Sequence, residues 1–167
     1  KILSVAGLAD GRYVCLHPGA RDPRRRWPAE NFARLANALA SHGYTPVLTG
    51  SGDEKSLLKE VSARIDVPVV NIVENFGHLS AGELAALLQR AALLISNDTG
   101  VSHVAAALQL PSVIIFSPYA DIDRWRPLDR VSHVAIPFAE ATDVQHVWNV
   151  VKPLLPARAM SAIKSTV

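Results

Sequence analysis

The chain has 167 residues, 49% hydrophobic and 19% charged, with a formal net charge of +2. This composition suits one domain around one core, excludes a disordered or low-complexity polypeptide, and argues against a general nucleic-acid surface. Strictly apolar runs such as 113–116 are too short to cross a bilayer, residues 1–10 do not read as a signal peptide, and the single cysteine, Cys15, excludes an internal disulfide.

A first strand is expected over 13–17. The helix after it, over 28–41, carries Phe32, Leu35, Ala36 and Leu39 on one face, with Pro28 in its first turn and Gly43 as a left-handed stop. A strand over 45–49, a helix over 53–64 and a strand over 68–72 follow. Ser80-Ala81-Gly82-Glu83 is a capping box opening a helix over 81–90. Then come a strand over 92–96, a helix over 100–108, strands over 112–116 and 132–136, and a last helix over 143–155 capped by Thr142 or Asp143. The strands are near-continuous apolar runs, as in parallel strands buried on both faces. Such alternation implies an α/β fold: a Rossmann-like, doubly wound, mostly parallel six-stranded sheet with helices on both faces. No repeat or linker divides 1–167, and the tail after Pro156 reads as loosely docked.

In such sheets ligands bind beyond the carboxyl ends of the strands, where the strand order reverses. The loop after the first strand holds Gly19, which lets backbone approach a ligand, and four of the chain's 12 arginines within 21–26. Forked donors beside a helix amino terminus suit a diphosphate; a solvated basic loop is the alternative. There is no G-x-G-x-x-G there, so the dinucleotide fingerprint is absent. After the second strand, Glu54 in Gly50-Ser51-Gly52-Asp53-Glu54 either accepts from ribose hydroxyls or simply suits a helix start. After the fourth comes Ser96-Asn97-Asp98-Thr99-Gly100-Val101-Ser102-His103. Gly100 opens a helix whose free N–H groups favour phosphate, Thr99 and Ser102 add hydroxyl donors, and His103 lies one turn in. Asp98 either accepts from a sugar or caps the helix. The loop after the fifth strand, with Tyr119 and Trp125, either stacks on a ligand or packs as surface. His42, His78, His133 and His146 have no ligand spacing, so no metal is expected.

Together, His17-Pro18-Gly19-Ala20 with Arg26-Trp27-Pro28, then Gly50-Ser51-Gly52-Asp53-Glu54, then Asn97-Asp98-Thr99-Gly100-Val101-Ser102-His103 resemble the bacterial heptosyltransferases of glycosyltransferase family 9. The resemblance implies the carboxyl-terminal, nucleotide-sugar-binding half of a two-domain GT-B enzyme, the donor being ADP-heptose. Arg25 stands where many members have a lysine on the donor phosphates. Glu54 matches the acid on the ribose, Asp98 the residue contacting heptose, Thr99 and Gly100 the phosphate turn, and His103 a helix residue near the pyrophosphate. Ala20 and Arg21 stand where some members have hydroxyl residues. Implied too is inverting, metal-independent transfer to the lipopolysaccharide inner core. The base and the acceptor site would lie in an amino-terminal half absent here, leaving this chain to bind nucleotide and catalyse little. The family's setting is cytoplasmic, with any contact at the inner membrane face made by that other half. A UDP-sugar transferase or epimerase, or a non-catalytic nucleotide-binding module, are the competing assignments. A phosphoacceptor receiver is disfavoured because the loop after the first strand is basic rather than acidic.

Overall fold

A computed structural model describes residues 2–156; the tail after Pro156 lies outside them. Six strands, β1 (Tyr13–His17), β2 (Thr45–Leu48), β3 (Val70–Asn71), β4 (Leu93–Asn97), β5 (Ser112–Phe116) and β6 (His133–Pro137), form one sheet in the order β3-β2-β1-β4-β5-β6. Every pairing is parallel. The helices are α1 (Ile2–Val5), α2 (Ala29–Ser41), α3 (Lys55–Ser62), α4 (Ile72–Phe76), α5 (Ala81–Leu88), α6 (Gly100–Ala107), α7 (Ile122–Trp125) and α8 (Val144–Leu154).

Side chains alternate across the pleat, and both faces are buried. Val14 and Leu16 of β1, Leu93 and Ile95 of β4, and Val113 and Ile115 of β5 pack under α2, α3 and α8. Tyr13, Cys15 and Leu94 point the other way, against Leu87 and Leu88 of α5 and Val101 and Ala105 of α6. Burial pushes the Cys15 thiol far above its usual range, so it stays protonated and behaves as an apolar side chain. β1 and β4 are neighbours, yet the chain leaves β1 for α2 on one face and β4 for α6 on the other. Strand order therefore reverses between them, and a crevice opens beyond their carboxyl ends.

Several boundaries depart from the sequence-based expectation for local reasons. Pro28 sits one residue ahead of α2 as its N-cap, not in its first turn. The expected helix over 53–64 begins as a 3-10 turn, Gly52–Glu54, before α3. The strand expected over 68–72 shrinks to Val70–Asn71, because the Asn71 side chain accepts from the Glu74 N–H and opens α4. The second strand ends at Leu48, while the fourth and sixth run one residue later than expected. The third, fourth and last helices are slightly shorter, ending at Leu88, Ala107 and Leu154. Gly43 has φ of 77°, the left-handed stop expected after α2. Both halves of the Ser80–Glu83 capping box form. Among the described residues no helix is long and apolar enough to cross a membrane.

Candidate functional site

Two lobes of one cleft lie across the crevice. The larger, about 420 Å³, is lined by His17 at the end of β1, Thr49 and Glu54 after β2, Ile72 of α4, and Thr99 and Gly100 after β4. The smaller, about 260 Å³, is lined by Arg25, Asp98, His103 and Trp125, and it shares Thr99 and Gly100 with the first. The amino terminus of α6 is thus the wall common to both lobes.

In the larger lobe Glu54 fills two positions at once. Its Oε2 accepts from the Ser51 N–H at 2.8 Å, completing a capping box, so the helix-start alternative is realised. The same carboxylate lies against Gly19, where any Cβ would collide with it. Gly19 therefore has a steric role: it makes room for an acid in the cleft wall. His17 is half-buried on the floor, its Nδ1 sharing a 3.0 Å hydrogen bond with Thr49 Oγ1. Burial holds its imidazole below the usual pKa, partly offset by the Glu54 charge. His133, beside Ser112 Oγ at 2.8 Å, is lowered by burial in the same way, partly offset by Asp129.

Those two histidines give a pH dependence of definite sign. As pH falls below about 6.5 the unfolded chain takes up protons that the folded chain refuses, so their stability contribution is whole above that pH and drains below it. Urea midpoints should fall between about pH 7.5 and about pH 5.5, and fall less in His133→Gln. A midpoint flat over that interval would contradict the burial argument.

In the smaller lobe the four clustered arginines separate. Arg24 turns outward, holding Asp22 at 2.7 Å and stacking 4.9 Å from the centre of the Tyr119 ring. Arg26 Nε donates to the Ala20 carbonyl at 2.9 Å, inside its own loop. Arg21 is exposed at the rim of the larger lobe. Arg25 alone reaches the β4 loop: its Nη2 donates to the Asp98 carbonyl at 3.0 Å and forms an ion pair with the Asp98 carboxylate. Arg25 Nε is buried without a partner, and so is Thr99 Oγ1 across the shared wall. Arg25, Asp98, Thr99, Gly100 and His103 are thus gathered in one lobe, with Glu54 and Gly19 next door.

Asp98 is not the cap of α6. Thr99 holds that position with an extended backbone, and no side chain closes the cap, so the first N–H groups of the helix have no side-chain partner at the wall that both lobes share. Ser102, expected as a free donor, instead donates its hydroxyl to the Thr99 carbonyl at 2.8 Å. Trp125 is 45% exposed, lines the smaller lobe and lies edge-on to His103, 6.2 Å between ring centres. The residue with no role assigned from sequence is Asn97, wholly buried at the end of β4 and bonded to both ends of the arginine loop. Its partners lie 70 and 79 residues away, beyond the reach of any local pattern. Among the described residues, no group of three or more His, Cys, Asp or Glu is placed to hold a metal ion.

The sequence model of Glycosyltransferase family 9 (heptosyltransferase) matches residues 3–147. The Escherichia coli protein named lipopolysaccharide heptosyltransferase 3 is 32% identical over 127 residues, 75% of this chain and 36% of its own length. The E. coli ADP-heptose lps heptosyltransferase II superposes with a TM-score of 0.76 at 26% identity, over 92% of this chain and 49% of that one. The E. coli heptosyltransferase WaaC with ADP gives 0.71 at 21% identity, over 87% and 45%, a likeness of fold. The chain therefore spans about a third of that curated relative and about half of those solved chains.

Proposed function

The chain belongs to glycosyltransferase family 9, and from that premise we propose that it is the donor-binding half of a heptosyltransferase, taking ADP-heptose and supplying the groups that stabilise the departing diphosphate. The observation that carries this is the α6 wall. Uncapped helix N–H groups, an unpartnered Thr99 hydroxyl and the Arg25 guanidinium converge where the two lobes meet. A diphosphate seated there would place its nucleoside in the larger lobe, ribose toward Glu54, and its sugar in the smaller, between Asp98, His103 and Trp125. The ADP bound by the related WaaC structure supports the choice of nucleotide.

In the transfer, an acceptor hydroxyl of the lipopolysaccharide inner core attacks the anomeric carbon. A new C–O bond forms, the bond from that carbon to the β-phosphate oxygen breaks, and the acceptor's proton passes to a base. That base and the acceptor site belong to a second half that pairs with this one in the GT-B manner. What this chain contributes is charge placed in advance: Arg25 and the α6 N–H groups meet the negative charge growing on the leaving oxygen, with no metal required. Asp98 accepts hydrogen bonds from sugar hydroxyls once Arg25 has turned to the phosphate. The GT-B halves closing over the donor would exclude water.

Parallel calorimetric titrations with ADP, UDP and a short oligonucleotide, all in EDTA, test the proposal. Saturable binding selective for ADP is expected. Preference for UDP would change the donor, and preference for the oligonucleotide would defeat the proposal.

A further inference from the structure

Asn97 ends β4 with its side chain 0% exposed. Its Oδ1 accepts from the Trp27 N–H at 2.8 Å. Its Nδ2 donates to the Pro18 carbonyl at 2.8 Å and, more weakly, to that of Gly19 at 3.4 Å. Pro18 and Trp27 are the two ends of the loop that carries Arg25. One amide therefore holds both ends of that loop on the sheet, its carbonyl oxygen accepting from one end while its NH2 group donates to the other. Beyond Trp27 the anchor continues into the core: its indole N–H donates to the Ala141 carbonyl at 2.8 Å, and its ring meets Phe32 edge-on at 5.1 Å.

We propose that Asn97 is the positioning residue of the donor site, clasping the 18–27 loop to β4 so that Arg25 can exchange Asp98 for a diphosphate without the loop leaving the sheet. The two neighbours divide the task. Asp98 holds the Arg25 side chain by its carboxylate, the contact that a diphosphate would compete for. Asn97 touches only backbone, so its hold survives the exchange. Without it the loop must be ordered at the moment of binding, and that cost falls on affinity. The link to ligand rests on the function proposed above; the clasp itself does not.

Two readouts separate the two claims. The first needs no ligand: trypsin cleaves after arginine, and the loop offers four sites between Arg21 and Arg26. In Asn97→Ala, cleavage within that loop should quicken about tenfold or more, the scale of losing a buried hydrogen bond. Asn97→Asp, which keeps the side chain's shape and the acceptor for Trp27 but faces a carboxylate to two carbonyls, should do the same. The second readout compares ADP with adenosine: both variants should weaken ADP by about tenfold and leave adenosine unchanged, because only the diphosphate uses the loop. Leu39→Ala, a core cavity far from the cleft, controls for lost stability and should reproduce neither effect. Cleavage at the wild-type rate in both variants would overturn the clasp. Equal weakening of ADP and adenosine, or the same split in Leu39→Ala, would overturn its positioning role. If the wild-type chain bound no ADP, the functional proposal would fall, and the cleavage rates would still decide the clasp.

Discussion

Arg25→Ala is expected to weaken ADP binding by about 10- to 100-fold, the effect of losing one charged hydrogen-bonding group from a phosphate site. The structure makes this a pointed test, because the neighbouring arginines supply internal controls. Arg24 is 69% exposed in its side chain and engaged with Asp22, so Arg24→Ala should leave ADP affinity unchanged despite removing the same charge from the adjacent residue of the loop. Bulk electrostatics would weaken binding in both variants alike; a built site weakens it in one. Arg25→Ala also strands a carboxylate whose side chain is only 5% exposed, so some loss of stability accompanies the loss of affinity. The exposed part of Arg25, 32%, moderates that loss. Titration at a temperature where both variants are fully folded keeps the two effects apart. Unchanged ADP affinity in Arg25→Ala would return the whole arginine run to solvent.

Asp98→Asn should act with the opposite sign on ADP. Asp98 pairs with Arg25 and sets a negative charge beside the place proposed for phosphate. Removing that charge while keeping the side chain's shape frees the guanidinium, and ADP should bind about fivefold more tightly, an effect of about 1 kcal/mol, the upper end for a partly exposed pair. The same substitution should abolish any preference for ADP-heptose over ADP, since the amide is a poorer acceptor for sugar hydroxyls. One ion pair would thus yield one variant that loses ADP and one that gains it. A purely structural pair predicts otherwise: both variants would melt earlier and neither would alter affinity.

Much of the sheet was legible because its physics is local. The stretches 13–16, 93–95 and 113–116 are continuous apolar runs, as suits strands buried on both faces, and the structure buries them almost completely. The Ser80–Glu83 box and Gly43 were likewise readable from single residues with strong backbone preferences. The edge strand β3 was misjudged: the β-branched residues around Asn71 favour extension, but Asn71 is also an N-cap, and at an edge with one neighbour the cap prevails after two residues. The short helices α4 and α7 lack the length for a periodic signal.

The loops behaved differently. Sequence could place Gly19, Arg25, Glu54, Asp98, Thr99, Gly100 and His103 at strand ends, and those ends do converge on one cleft. It could not say which of four adjacent arginines turns inward, because that choice depends on Asp22, Ala20 and Asp98 competing for them. Glu54 illustrates a false choice, for the capping and cleft positions are filled by one carboxylate. Asn97 escaped because its importance lies wholly in long-range partners.

The most direct test of the central claim is an amide-resolved NMR titration of the chain with ADP in EDTA. Saturable shifts are expected at Gly19, Thr99, Gly100 and Val101, together with the Arg25 side-chain N–H, all following one binding curve. Shifts confined to the exposed 119–131 segment, or drifting without saturation, would contradict a diphosphate site at the α6 wall.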